Sequence, residues 1–410
     1  MKKKVIVCAP ALTVSGYGHH ARTILRALKD REDVVDLYLA PTLWGVCSWL
    51  HEDNEERHWM DSLVMKAGEY AQKTNGQPRY DMSIQVAIPS EWKKIAPINI
   101  GVTAGIETNK VSREWLVRTR IMDRIIVPSE FAKSGFMNTS VKVQDPKTQQ
   151  LVKLKCETPI DVIPFPAEIF EKDKNFKLDL DYDFNYLVVS QWGPRKNIEQ
   201  TVAGFIEEFH DDEVGLVLKV FQRNQSIIDR RYTEEKIKAF IREDLTRKCK
   251  IYFLHGYFND GEMSALYQHP KIKALINNTF GEGFGLPPFE AICYGLPVIL
   301  PLWGGHKEYT SILVNDKNRK GKKKKKAMVA KIDFDVNSIP ETVNWKNIFE
   351  PEMMWCYPNY ESYKDAIRDV FENYDGHKQN TEKLREYVLQ KFSKEKINSA
   401  IVVAMGLEND

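Results

Sequence analysis

The sequence predicts an α/β protein built from two doubly wound parallel sheets. Two series of strands and a break between them carry that expectation. The first series is KVIVCA (4 to 9), VVDLYL (34 to 39), MSIQVA (82 to 87), INIGVT (98 to 103) and RIIV (124 to 127), with helical stretches between. The second is YLVVS (186 to 190), GLVLKV (215 to 220), KIYFL (250 to 254), KALI (273 to 276) and PVIL (297 to 300). Short β-branched runs alternating with helices mean parallel strands joined by crossovers. Between the series, residues 161 to 185 are rich in proline and charge and lack periodicity, as a linker should be. At 410 residues the chain also exceeds one ordinary core. The expected division is a first domain over 1–165, a linker over 166–185 and a second domain over 186–380 with a basic loop at 315–327. Two such domains facing one another leave a cleft, and open parallel sheets bind ligands at the carboxyl ends of their strands. The tail from Thr381 reads as two helices.

Composition narrows the class. Hydrophobic residues make up 43% of the chain and aromatics 11%, which describes a soluble globular protein. No apolar stretch approaches the roughly 20 residues that span a bilayer. The start, MKKKVIVCAPAL, reads as a first buried strand rather than a signal peptide, so a cytoplasmic protein is expected. Six cysteines are scattered without a CxxC pair, suggesting reduced thiols rather than zinc or disulfides. A net charge of +2 leaves any affinity for polyanions to local clustering.

The densest punctuation lies in NNTFGEGFGLPPFEAICYGLPVIL (277 to 300). Strand KALI feeds a glycine loop, Pro287 and Pro288 fit the first turn of a helix, and Gly295 ends it. Gly283 and Gly285 permit φ > 0 or close approach to a ligand, and helix-start N–H groups favour an anion. Glu282 and Glu290 offer acceptors for sugar hydroxyls. The same residues would also shape a plain strand-to-helix turn with two solvated glutamates, and spacing alone does not choose.

The glutamate, seven-residue, glutamate pattern in EGFGLPPFEAICYGLPVI resembles that of retaining glycosyltransferases of family four. WGGHKE (303 to 308) is similar to the family's Gly-Gly-x-x-Glu loop. The resemblance implies the GT-B fold, two Rossmann-like domains with the C-terminal helices (381–410) crossing back to the first. It implies that Glu282 contacts the donor sugar, that Phe284, Gly285 and Leu286 hold sugar and phosphate through their amides, and that Glu290 accepts from the ribose. SQWGPRKNIEQ (190 to 200) supplies Arg195 and Lys196 where the family places cations, while Gln191 stands where it usually has arginine. Fixed cations suit a departing diphosphate on general grounds.

In the first domain, SGYGHHAR (15 to 22) is similar to the family's phosphate-approaching loop, with Gly16 and Gly18 in that role. Gly16, Gly18 and Ala21 also fit a dinucleotide-binding GxGxxA, which raises an NAD-dependent dehydrogenase as a rival. The overlong loop from Ala9 and the missing acid after the second strand oppose it. His19 and His20 are read either as phosphate or acceptor contacts or as surface histidines. Glu107, in TAGIETN (103 to 109), is a candidate acceptor contact or base, and Tyr257, in LHGYF (254 to 258), a candidate donor contact. Ser129 reads as a helix cap. The Asp-x-Asp spacing in DLDYD (179 to 183) reads as solvated charge, so neither metal nor cofactor is expected beyond the nucleotide sugar itself.

Eight of the ten residues from Lys317 to Lys326 are basic: Lys317, Arg319, Lys320, Lys322, Lys323, Lys324, Lys325 and Lys326. Without periodicity they read as a loop, either a solvated insert or a polyanion site. TAGIETNKVSREW, PSEFAKSGF and GPRKNIEQT are similar to glycosyltransferases of tailed bacteriophages, some of which decorate modified pyrimidines in DNA. That resemblance implies a hydroxymethylated base in DNA as acceptor, flipped into the cleft. A saccharide or protein acceptor, and a non-catalytic nucleic-acid-binding module, are the alternatives.

Overall fold

The computed structural model describes residues 2–144, 150–241, 246–315, 322–343 and 347–408. The chain divides into two compact units: Met1–Pro166 with Ser338–Met354 and Lys394–Asp410, and Ala167–Asn337 with Trp355–Ser393.

In the first unit the strands are β1 (Lys3–Ala9), β2 (Val35–Pro41), β3 (Met82–Val86), β4 (Ile98–Val102), β5 (Arg124–Val127), a ribbon of β6 (Val141–Gln144) and β7 (Leu151–Leu154), and β8 (Ile160–Val162). Six of them form one sheet in the order β2-β1-β3-β4-β5-β8, every pairing parallel. Helices α1 (Gly16–Lys29), α2 (Glu55–Lys73), α3 (Arg113–Arg118) and α4 (Glu130–Asn138) connect them. Ser129 caps α4, accepting from the Ala132 amide, so its hydroxyl serves the helix start.

The second unit repeats the plan with β9 (Asn185–Gln191), β10 (Gly215–Phe221), β11 (Lys250–Leu254), β12 (Ile272–Ile276), β13 (Val298–Pro301), the hairpin β14 (Ser311–Asn315) and β15 (Lys323–Ala327), β16 (Ala330–Ile332), and the pair β17 (Phe334–Ser338) and β18 (Met354–Pro358). Its sheet runs β11-β10-β9-β12-β13-β16, again parallel throughout. The helices are α5 (Ile198–Phe209), α6 (Ile227–Phe240), α7 (Asp260–Tyr267), α8 (Leu286–Cys293), α9 (Tyr360–Glu372) and α10 (Tyr374–Lys391), and α11 (Lys394–Ala404) returns to the first unit. One face of β10 (Leu216, Leu218, Val220) packs with Val202, Phe205 and Phe209 of α5 and Tyr363, Ile367 and Val370 of α9, giving a continuous apolar core. Both helices place these residues three or four apart, on one stripe.

The ten strands expected from β-branched runs are all present, within two residues at each end. Four expectations change. Residues 166–185 do not bridge freely, because from Ala167 they are built onto the second unit: the Phe170 amide donates to the Tyr294 hydroxyl (3.0 Å) and the Asp173 amide to the Gly261 carbonyl (3.0 Å). The tail from Thr381 is split. Helix α10 stays on the second unit, where Lys378 Nζ and Arg385 Nε donate to the Gly295 and Cys293 carbonyls (2.5 and 2.8 Å) at the end of α8, groups the helix itself leaves unpaired. Residues 338–354, expected in the second domain, join the first unit, where Ser112 Oγ donates to the Asn347 carbonyl and the Arg113 amide to Glu350. Finally, Lys323 to Lys326 form a strand rather than a loop, pairing antiparallel with Ile312 to Asn315.

Gly18 shows how tightly the first turn of α1 is set. A Cβ there would collide with the Thr13 carbonyl, whereas one at Gly16 would meet nothing within 4 Å. Gly18→Ala should therefore destabilise the fold by about 1–3 kcal/mol, against alanine's higher helix propensity, while Gly16→Ala is neutral in a urea melt.

Candidate active site

The strand order of the second unit reverses direction between β9 and β12, and the loops leaving the carboxyl ends of these two strands form the crevice where open parallel sheets take ligands. After β9 the chain makes one tight turn, Pro194–Lys196, ending in Asn197 at φ 53°. After β12 it runs through Asn277 to Gly285 before α8 begins. The two loops are stitched by the Phe280 amide, which donates to the Arg195 carbonyl (2.9 Å), and by Arg195 Nη1, which donates to the Gly281 carbonyl.

Glu282 is the centre of this crevice. It is only 6% exposed, and Arg195 Nη1 stands 3.1 Å from its Oε2 while Lys196 Nζ donates to Oε1. Burial by itself would raise its pKa, but the charges of Arg195 and Lys196 overcome that and hold the carboxylate at about 2. His306 beneath it is fully buried, which pushes its imidazole down to about 4 and keeps it neutral.

The turn Gly304–Glu308 backs the loop. The Gly305 amide donates to the Glu282 carbonyl (2.8 Å), and a Cβ at Gly305 would strike the Gly283 carbonyl. Gly285 has φ 85°, and a Cβ there would lie 2.7 Å from the His306 ring. These glycines are required by backbone packing. Tyr309 donates to the Gly285 and Phe284 carbonyls (2.8 and 3.1 Å). The Phe284 side chain packs on Phe289 and Tyr309 with ring centroids about 5 Å apart, so it faces the core and has only main-chain groups to offer a ligand. Leu286 begins α8, with the two prolines behind it as expected.

Glu290 lies one turn into α8 and accepts from the Tyr267 hydroxyl (2.8 Å). Burial lifts its pKa, the tyrosine bond lowers it, and Asp260 and Glu168 add to the rise, leaving it at about 7. Tyr267 was not legible as a site residue, because its contact depends on α7 packing beside α8.

Other expected residues are placed separately. Gln191 is exposed at the end of β9 and donates to the Gln222 carbonyl (2.9 Å). Tyr257 is half-buried after Gly256, whose carbonyl accepts from Lys219 Nζ (2.7 Å). Asp181 and Asp183, the Asp-x-Asp pair, are engaged with Lys250 and Lys271. Lys322 to Lys326 are exposed; Lys317, Arg319 and Lys320 lie outside the described residues.

Gly16, Gly18 and Glu107 belong to the first unit. Tyr17, between the two glycines, ties their loop to the one after β4: its hydroxyl bonds Thr103 Oγ1 (2.8 Å) and accepts from the Gly105 amide (3.0 Å). Burial pushes the Tyr17 phenol up to about 12, the Thr103, Gly105 and Ala104 hydrogen bonds oppose that, and the charge of Glu107, half-buried in that second loop, adds a little to the rise. Trp44 stacks on Tyr17 at 4.0 Å, a contact no local pattern announces. Of the two histidines, His20 is not a surface residue. Both rings lie against Phe165, His20 buried and His19 half-buried, and desolvation drops their pKa values to about 3 for His19 and about 4 for His20.

No protein-family model matches the sequence, and no curated protein matches it. Solved structures do resemble it. Sucrose-phosphate synthase from Thermosynechococcus elongatus superposes with a TM-score of 0.60 at 15% identity, covering 98% of both chains. HepE of Anabaena in complex with UDP-glucose gives 0.59 at 13% identity, covering 98% of this chain and 99% of that one. A UDP-forming α,α-trehalose-phosphate synthase from Burkholderia xenovorans gives 0.58 at 10% identity, covering 99% and 100%. The chain has the GT-B glycosyltransferase fold, two Rossmann-like domains.

Because the folded pKa of Glu290 lies above that of a free carboxyl, burying it costs nothing below about pH 4.5 and progressively more as pH rises to 7. Glu290→Gln should therefore raise stability by roughly 1–3 kcal/mol at pH 8 and leave it unchanged at pH 4, read from paired urea melts.

Proposed function

We propose that the chain transfers a sugar, with retention of configuration, from a nucleoside diphosphate sugar to an acceptor. The observation that carries this is the cluster at the switch point of the second unit, where two cations, Arg195 and Lys196, meet the buried carboxylate Glu282 at the glycine loop opening α8. The resemblance of EGFGLPPFE and WGGHKE to family four supports the same assignment, as do UDP-glucose on HepE and the UDP-forming activity of the trehalose-phosphate synthase.

In this reaction the bond from the anomeric carbon to the diphosphate oxygen breaks, and the diphosphate leaves with the electron pair. Arg195 and Lys196 meet the charge that develops on it. Glu282 holds the donor sugar through its hydroxyls, and Glu290 takes the ribose hydroxyls. The acceptor oxygen bonds the anomeric carbon on the face the diphosphate leaves, and the acceptor's proton passes to a departing phosphate oxygen. No covalent enzyme intermediate, metal or further cofactor takes part. Lys196→Ala and Glu282→Ala should each lower transfer at least about 100-fold while the far-UV circular dichroism is unchanged. Near-normal turnover in either removes the site assignment.

For the acceptor we favour a hydroxymethylated base in DNA, on the phage resemblance and on the β14–β15 hairpin. Neither strand carries an acidic residue, and Lys323 to Lys326 project alternately to its two faces, all exposed. Lysines of this kind would hold a backbone without reading sequence. Binding to hydroxymethylated duplex DNA should weaken steeply with salt, and replacing Lys323 to Lys326 with serine should reduce the log–log slope by about 1.8 if one face of the hairpin meets the backbone and by up to about 3.6 if all four lysines do, at about 0.9 for each phosphate no longer neutralised. A flat salt response redirects the search to saccharide or protein acceptors.

A further inference from the structure

Both oxygens of the Glu282 carboxylate are taken by cations of the loop after β9: Lys196 Nζ donates to Oε1, and Arg195 Nη1 stands 3.1 Å from Oε2. These are the two groups assigned to the departing diphosphate. Carboxylate and phosphate oxygens are both anionic acceptors, so they compete for the same N–H donors. The side chain of Glu282 is 9% exposed against 17% and 19% for Arg195 and Lys196, so solvent reaches the cluster mainly from the cation side. The Glu282 backbone has little room to retreat. The Gly305 amide donates to its carbonyl (2.8 Å), a Cβ at Gly304 would lie 2.7 Å from that same oxygen, and Arg195 is tied to the neighbouring Gly281 carbonyl. A diphosphate drawn to Arg195 and Lys196 therefore arrives beside a negative charge. With His306 neutral, two cations and one carboxylate leave a single net positive charge to receive it.

We propose that Glu282 is a built-in counter-ion to Arg195 and Lys196, which weakens the hold of this crevice on the nucleoside diphosphate product and so lets it leave; the proposal rests on the transfer function already assigned to the crevice. Two cations shielded from water would grip a diphosphate strongly, and release of the product would then limit turnover. Glu282 offsets one of the two charges before any ligand arrives. Its carboxyl is held at about 2 by the cations, so it keeps that charge at every working pH, and the neutral His306 cannot substitute for either cation. In the empty site the same carboxylate keeps two part-buried cations paired, and buried charges without a partner are costly. Binding and release are then an exchange of acceptors. The N–H groups of Lys196 and Arg195 turn from Glu282 to phosphate oxygens as the anion enters and return to Glu282 as it goes.

The test is calorimetric binding of inorganic pyrophosphate, UDP and uridine to the full chain and to its Glu282→Gln and Glu282→Asp variants. Glutamine keeps the shape and removes the charge, whereas aspartate keeps the charge. Glu282→Gln should bind pyrophosphate and UDP at least about 10-fold more tightly than the unmodified protein, while Glu282→Asp stays within about threefold of it and the neutral uridine is unaffected. A purely structural role for Glu282 would weaken binding in both variants. Equal or weaker binding of pyrophosphate and UDP by Glu282→Gln overturns the counter-ion, as does equal tightening by Glu282→Asp. Where glutamine destabilises the fold, thermal melts decide: pyrophosphate should raise the melting temperature of Glu282→Gln more than that of the unmodified protein, because the anion replaces the missing carboxylate, and an equal or smaller rise overturns the proposal. If neither pyrophosphate nor UDP binds the unmodified protein or the glutamine variant, the donor assignment of the whole crevice fails and the counter-ion with it. Binding by the unmodified protein without a gain in the variant removes the counter-ion alone.

Discussion

A carboxylate buried to 6% exposure with two cations against it is the constraint from which the architecture of the second unit follows. Removing such charges from water is expensive, and the expense is offset only when every partner is held in place. Arg195 and Lys196 come from the loop after one strand and Glu282 from the loop after another. They meet because β9 and β12 are neighbours in the sheet, though 80 residues of chain and two further strands intervene. A parallel sheet whose order reverses at that pair is what makes the meeting possible.

The supporting shell is arranged to keep this cluster from relaxing. Gly304 and Gly305 let one backbone lie against another at a separation that no Cβ allows, so the turn after β13 braces the Glu282 main chain directly. Tyr309 secures the carbonyls of Phe284 and Gly285 from below, and the Phe284, Phe289 and Tyr309 rings, with Phe392 against Phe289, fill the volume behind them. Helix α10 then caps the far end of α8 through Lys378 and Arg385. Each residue acts on its neighbour's position, and the charged side chains inherit the rigidity of the aromatic layer.

The first unit solves a similar problem with neutral groups. Its glycine loop is pinned by the Tyr17 hydroxyl to the loop after β4, and Trp44 covers the other side of that tyrosine. The two histidines at the start of α1 are held neutral by burial and contribute packing rather than charge. What separates the units chemically is therefore electrostatic: one presents cations around a carboxylate, the other presents backbone, aromatic rings and a half-buried Glu107.

The sequence by itself determined the strands, because β-branched runs bounded by turn residues carry their own period, and it determined the helix start at Leu286, because glycine, proline and φ > 0 act within a few residues. The Glu282 and Glu290 spacing was legible for the same reason. Only the tertiary structure decided what these groups meet. The short edge strands β8 and β16 have too few residues to show a period and exist because a neighbouring strand offers hydrogen bonds; the lysine strand β15 forms because β14 lies opposite; and Tyr267 reaches Glu290 only once distant elements pack. Local backbone preference is written in adjacent residues, whereas partners are chosen by the crossovers that order a sheet.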